Sequence, residues 1–364
     1  MRIVSVVGAR PNFVKIAPIN EEFKKEPGIE NILIHTGQHY DNKMSDLFFD
    51  QIGITKPDIN LGVGSASHAV QTANIMKAFE PVCKKYKPDG VLVVGDVNST
   101  IACGLVAVKL GIKLIHVESG LRSGDRGMPE EINRVLTDSI SDILFCTEQS
   151  GVDNLLKEGI SRNKIFFVGN VMIDALLNNK IKAENSKILN QLLIRNREYA
   201  VLTLHRPDNV DNKVSFNHIV DALESVQKNI PIVFPVHPRT RDSIEKTEVG
   251  RRINSLSNIR LIDPLGYLDF IKLISCSRLV LTDSGGIQEE TTILNIPCLT
   301  LRNSTERPIT AEKGTNVIVG TDCDRIVRNV QEILNRDMPN NKAPKYWDGR
   351  TAGRIKNVLL KNFS

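Results

Sequence analysis

The protein has 364 residues, 41% hydrophobic and 24% charged, with a net charge of +5. That length suits two globular domains, and the small, dispersed positive excess argues against a nucleic-acid partner. No apolar stretch nears the ~18 residues of a membrane span, and the start, MRIVSVVGARP, lacks the layout of a secretion signal, so a cytoplasmic location with no membrane partner is expected.

Along the chain, short runs rich in Val, Ile and Leu occupy residues 2–7, 31–36, 90–95, 113–117, 142–146 and 164–168. None alternates with polar residues, as expected of strands buried on both faces of a parallel sheet. Amphipathic stretches at 11–25, 66–86, 99–110 and 130–141 predict helices between them. The rhythm stops after Val168 and resumes with runs at 200–204, 230–236, 258–262, 278–282 and 297–301. This pattern predicts an α/β protein of two Rossmann-like, doubly wound domains. The expected boundaries are 1–176 for the first domain and 197–345 for the second, with a linking region at 177–196. Residues 346–364 are expected to form a helix that packs back on the first domain. The cysteines Cys83, Cys103, Cys146, Cys276, Cys298 and Cys323 include no C-x-x-C pair and read as structural thiols, not as a disulfide or zinc framework.

Ligands of open α/β sheets bind beyond the carboxyl ends of the strands. Those positions carry Gly8-Ala9-Arg10-Pro11, Asp96-Val97-Asn98, Glu118-Ser119-Gly120, His205-Arg206, His237-Pro238 and Asp283-Ser284-Gly285-Gly286. Polar edges on both domains predict an interdomain cleft. Glycines before a helix allow close backbone approach to an anion, and the helix start supplies free N–H groups. Ser284, Gly285 and Gly286 therefore fit a phosphate, although a plain capping turn has the same composition. Glu289 and Glu290 follow within one turn, where a ribose diol would find a carboxylate. Arg302 and Arg307 suit a pyrophosphate or a surface ion pair. Arg10 and Lys15 carry positive charge onto the first loop and helix. Asp96, Glu118, Glu131 and His205 are the acid–base candidates, because carboxylates sharing one site raise one another's pKa toward neutrality.

The ordered set of Gly8-Ala9-Arg10-Pro11 with Lys15, Thr36-Gly37-Gln38-His39, Gly95-Asp96, Glu118-Ser119-Gly120-Leu121-Arg122, Pro129-Glu130-Glu131 with Asn133-Arg134, His205-Arg206, Asp283-Ser284-Gly285-Gly286 with Gln288-Glu289-Glu290, and Thr305-Glu306-Arg307-Pro308 resembles the non-hydrolysing UDP-N-acetylglucosamine 2-epimerases. The likeness runs nearly end to end, with Asn12, Ser119 and Pro207-Asp208 as departures from the usual residues. It implies two domains of the glycosyltransferase B type, a homodimer, and no metal or NAD. It also implies interconversion of UDP-GlcNAc and UDP-ManNAc through elimination of UDP. Asp96, Glu118, Glu131 and His205 would then move protons. Arg10, Ser284, Gly285, Gly286 and Arg307 would hold the diphosphate, Glu289 or Glu290 the ribose, and Lys15 would also bind substrate. Gln38, His39, Gln71 and His237 resemble parts of a second, activating UDP-GlcNAc site. A hydrolysing epimerase, a glycosyltransferase and a non-catalytic UDP-sugar sensor share much of this pattern.

Overall fold

The structure, a computed structural model, describes residues 1–38 and 56–363. The chain divides into two compact units: Met1–Asn178 with Lys345–Ser364, and Asn179–Pro344.

The first unit runs β1 (Arg2–Val7), α1 (Arg10–Lys24), β2 (Glu30–His35), β3 (Ile59–Asn60), α2 (His68–Tyr86), β4 (Gly90–Val94), α3 (Asn98–Lys109), β5 (Lys113–Ser119), α4 (Pro129–Ile140), β6 (Ile143–Cys146), α5 (Gln149–Lys157) and β7 (Ile165–Phe167), and α6 (Val171–Ala183) follows. Its strands form one parallel sheet in the order β3-β2-β1-β4-β5-β6-β7. The β-branched runs sit where both sheet faces are covered. Val4, Val6, Ile32, Ile34, Val91 and Val93 pack against Ile75 and Phe79 of α2 and Ala102 and Val106 of α3. Fully burying an aliphatic or aromatic side chain contributes roughly 1.5–3 kcal/mol, so this layer dominates the unit's cohesion. Ser67 caps α2 by accepting from the Val70 N–H, and Pro129 opens α4 with Glu130 and Glu131 in its first turn. Both choices suit the free N–H groups and the positive dipole end there.

The second unit runs α7 (Ile188–Gln191), β8 (Ala200–Thr203), α8 (Pro207–Val210), α9 (Lys213–Val226), β9 (Ile232–Pro235), α10 (Pro238–Lys246), α11 (Glu248–Asn254), β10 (Ile259–Ile262), α12 (Tyr267–Ser275), β11 (Leu279–Thr282), α13 (Gly285–Leu294), β12 (Cys298–Thr300), α14 (Pro308–Glu312), β13 (Asn316–Ile318) and α15 (Cys323–Leu334). The parallel order is β10-β9-β8-β11-β12-β13. Alternate residues of one strand serve opposite layers. Ala200, Leu202, Leu279 and Leu281 join one cluster, while Val201 and Val280 join the other. Ile188 and Leu192, inside the stretch expected to link the domains, lie in that second cluster and thus contribute to the second unit's core. The lysine- and asparagine-rich composition of that stretch hides two apolar residues four apart.

The tail ends in α16 (Thr351–Asn362), which packs on α1 within the first unit. Residues 346–350 are not helical: Tyr346 and Gly349 take left-handed backbone at φ +64° and +77°, and the helix starts only at Thr351. Trp347 is buried, and its Nε1 donates to the Thr147 carbonyl at 3.0 Å. The Ala352 N–H donates to Asp174 Oδ2 at 2.8 Å. All six cysteines are free thiols, and burial pushes those of Cys83, Cys146 and Cys298 up to about 12. Among the described residues, no helix is long and apolar enough to cross a membrane.

Candidate active site

In the first sheet the strand order reverses between β1 and β4, the position where doubly wound sheets bind ligands. The loop after β1 is held by Asn12. Its Oδ1 accepts from the Gly8 and Ala9 N–H groups at 3.3 and 3.0 Å, and its Nδ2 donates to Val94 O at 3.0 Å. Beside it, Lys15 and Glu118 form an ion pair with both residues buried. Glu118 sits at φ +73° in an irregularity of β5 between Val117 and Ser119. Non-glycine residues rarely adopt that backbone, and such strain concentrates where a side chain must be aimed. A Cβ on Gly95 would stand 3.3 Å from both Glu118 Oε2 and Lys15 Nζ. Glycine at 95 therefore lets the strand end approach the pair closely.

Asp96, the next residue, keeps 27% of its side chain exposed and pairs with Arg134 Nη1 at 2.5 Å. Asn133 Nδ2 donates to the Asp96 carbonyl at 2.9 Å. Arg134 also reaches Glu131 Oε2, through Nη2 at 2.8 Å and Nε at 3.1 Å. The Glu131 oxygens accept as well from the Ser123 and Gly124 N–H groups at 3.0 and 2.9 Å. Burial acts to raise the Glu131 pKa, but these amides and Arg134 outweigh it and hold the group below the usual carboxylate value. Beneath the turn, fully buried His116 contacts Asp138 Oδ1 at 2.6 Å through Nδ1 and the Gly95 carbonyl at 2.8 Å through Nε2. Asp138 also pairs with Arg122 at 2.7 Å. Its own pKa is held low: burial works upward, and the charge of His116 leads the opposing effects.

In the second unit the order reverses between β8 and β11. His205, with 42% of its side chain exposed, places Nδ1 2.7 Å from Oδ1 of buried Asp283. The His237 ring lies 6.0 Å from that of His205. After Asp283, Ser284 stands at the start of α13 without capping it through its side chain, and the first turn holds no acid. That start retains its affinity for an anion. A Cβ on Gly285 would meet Arg307 Nη1 at 2.5 Å and Glu306 Oε1 at 2.6 Å. Glycine is what allows Arg307 to lie over the helix start. Arg307 is itself paired with Glu289 at 2.7 Å and Glu306 at 2.5 Å, and Arg302 joins Glu306 at 2.8 Å. Glu290 accepts from the Tyr267 hydroxyl at 3.0 Å. Burial, with adjacent Glu289, pushes the Glu290 pKa up to about 7 against that hydrogen bond.

The first unit thus gathers Lys15, Asp96, Glu118 and Glu131, and the second gathers His205, Ser284, Gly285, Gly286, Glu289, Glu290, Arg307 and His237. Gln38 and Gln71 share one buried network. Gln38 Oε1 accepts from Ser99 N at 3.0 Å, Gln71 Nε2 donates to Gln38 O at 3.2 Å, and Asn98 Nδ2 donates to Gln71 Oε1 at 2.8 Å. His39 and the side chain of Arg10 lie outside the described residues. Lys15 pairs with a carboxylate, Glu118, and Glu131 accepts from two backbone amides and from Arg134. Asp283 and Arg134 stand inside the quoted motifs, but only the fold shows what each side chain touches.

Residues 21–360 match the family described as UDP-N-acetylglucosamine 2-epimerase. A relative from Methanococcus maripaludis named "UDP-N-acetylglucosamine 2-epimerase homolog" is 46% identical over 361 residues, 99% of each chain. A Pseudomonas aeruginosa protein named "UDP-2,3-diacetamido-2,3-dideoxy-D-glucuronate 2-epimerase" is 41% identical over 99% of this chain and 100% of that one. Among solved structures, the Methanocaldococcus jannaschii UDP-GlcNAc 2-epimerase in complex with UDP-GlcNAc and UDP superposes with a TM-score of 0.93. Its identity is 42%, covering 99% of this chain and 100% of that one.

Proposed function

Since the chain belongs to the UDP-N-acetylglucosamine 2-epimerase family, we propose that it interconverts UDP-GlcNAc and UDP-ManNAc without hydrolysis. The observation that carries this reading is the grouping of Asp96, with its exposed edge, and the strained Glu118 around Gly95. Two carboxylates at the ends of the neighbouring strands β4 and β5 suit proton removal and return at a sugar carbon.

The C2 proton of an amino sugar has no adjacent carbonyl, so its direct loss would leave an unstabilised carbanion. Elimination avoids that. A base takes the C2 proton, the C–H electrons form the C1=C2 double bond, and the C1–O bond breaks with its electrons leaving on UDP. The intermediate is 2-acetamidoglucal. UDP oxygen then re-adds at C1 while C2 receives a proton on the opposite face. In this reading Asp96 and Glu118 exchange protons with C2, and Lys15 orients Glu118 through their ion pair. Glu131 holds the 123–124 loop and Arg134 in place instead of moving protons, because four donors already occupy its oxygens. The α13 start, with Ser284, Gly285, Gly286 and Arg307, receives the diphosphate whose charge develops as UDP leaves. Engagement of Arg307 then requires it to exchange Glu289 or Glu306 for phosphate. Glu289 or Glu290 meets the ribose, and His205 assists leaving-group protonation. Neither a metal nor a nicotinamide is called for.

We further propose a homodimer. Ile132, Val135 and Leu136 are exposed at 43%, 38% and 48% and form one stripe on α4, a pattern that favours burial against a second copy. Gln38 and Gln71, with His39 and His237, remain the candidates for an activating site.

The test is turnover in deuterated water followed by NMR. Deuterium at C2 with a mixture of epimers and little free UDP is expected. Retention of the C2 proton during turnover would exclude elimination, and stoichiometric free UDP would favour a hydrolysing enzyme. The 41% likeness to an enzyme named for a diacetamido uronate makes UDP-2,3-diacetamido-2,3-dideoxy-D-glucuronate the competing substrate for the same assay.

A further inference from the structure

Asp283 is fully buried, and among the described residues the hydrogen-bond partners of its carboxylate are donors. His205 Nδ1 lies 2.7 Å from Oδ1. The His205 and Arg206 backbone N–H groups each reach Oδ2 at 3.0 Å, and Asn209 Nδ2 reaches it at 3.2 Å. Such surroundings suit an ionised, acceptor-only carboxylate. Burial alone would push its pKa up, but hydrogen bonding and charge from His205, with the two amides, bring it below the ordinary value.

A carboxylate facing Nδ1 requires a proton on that nitrogen. In the neutral ring the lone pair then resides on Nε2. The His116–Asp138 pair of the first unit is a useful contrast. Its ring is fully buried and its Nε2 faces the Gly95 carbonyl, so it has no outlet to a substrate. The His205 side chain is 42% exposed over a fully buried carboxylate.

We propose that Asp283 is a positioning residue for proton transfer by His205. It fixes the Nδ1–H tautomer, leaves Nε2 to exchange a proton with the substrate, and stabilises the imidazolium whenever the ring carries that second proton. Asp283 stays ionised throughout, so the proton moves only between Nε2 and the substrate. Asp283 also leads directly into the Ser284-Gly285-Gly286 turn. The residue that orients the histidine therefore adjoins the turn proposed to grip the leaving diphosphate. The catalytic use of this pair rests on the epimerase reading; the tautomer does not.

The test uses full-length protein labelled with 15N-histidine, without substrate. Long-range 1H–15N spectra, with His205 assigned by loss of its signals in H205Q, should show protonated Nδ1 and bare Nε2 in the neutral ring. The opposite tautomer would overturn the proposal. In a second arm, D283N should lose roughly 100-fold or more in kcat while KM changes by less than about 3-fold. A folded D283N with near wild-type kcat would also overturn it. If D283N does not fold, the wild-type spectrum decides alone. Absence of any epimerase turnover would sink the functional reading and leave the tautomer to be judged by the spectrum.

Discussion

Lys15 and Glu118 are buried as an ion pair and depend on each other. Removing one member of such a pair strands a buried charge, at a cost of about 3–5 kcal/mol. Lys15→Met is therefore expected to lower the denaturation midpoint clearly as well as activity, whereas Lys24→Met, at an exposed surface pair, should leave both nearly unchanged. Chemical denaturation with parallel assays checks this. Glu131, Asp138, Asp283 and Glu306 all titrate below their ordinary values of 4.5 and 3.8. A carboxylate lowered by folding contributes stability that is present above its unfolded pKa and lost as pH falls through the folded one. Thermal midpoints should thus drop steeply below about pH 4, and Glu131→Gln should remove part of that slope. Glu290 behaves oppositely. Raised to about 7, it contributes stability below 4.5 that is lost as pH climbs toward the folded value. Glu290→Gln should therefore gain on wild type between about pH 5 and pH 8 in paired melting curves.

At the scale of elements, strand and helix order was readable because both sheets are parallel and covered on each face. Every residue of the 2–7 run has to be apolar or satisfied, so β1 shows as an unbroken block. Two-residue β3 and three-residue β13 lie at sheet edges, too short to build a periodic signal. Within the site, glycine turns and acids after strands were visible in sequence, but their pairings were not. Glu131 looks like any carboxylate until the backbone of 123–124 folds onto it, and Lys15 looks like a solvated helix residue until β5 brings Glu118 alongside. Position 285 tests the α13 start. Gly285→Ala forces a methyl group against Arg307 and Glu306. UDP affinity should fall at least about 10-fold, measured by calorimetry, with the helix retained in circular dichroism, because roughly 1.4 kcal/mol of displaced contact suffices. Unchanged affinity would mean that diphosphate is held elsewhere.

For the molecule as a whole, the apolar stripe of α4 makes association testable. Leu136→Glu combined with Ile132→Glu should shift the sedimentation coefficient from dimer to monomer if the stripe is covered by a second copy, since a charge in a buried interface opposes pairing. An unshifted dimer would place the contact on another face.

The chain's single tryptophan, Trp347, is sealed against Thr147 at the point where the tail rejoins the first unit. Its intrinsic fluorescence is therefore a site-specific optical reporter. A red shift in emission signals that the C-terminal segment has peeled away, before or together with loss of the sheet beneath it.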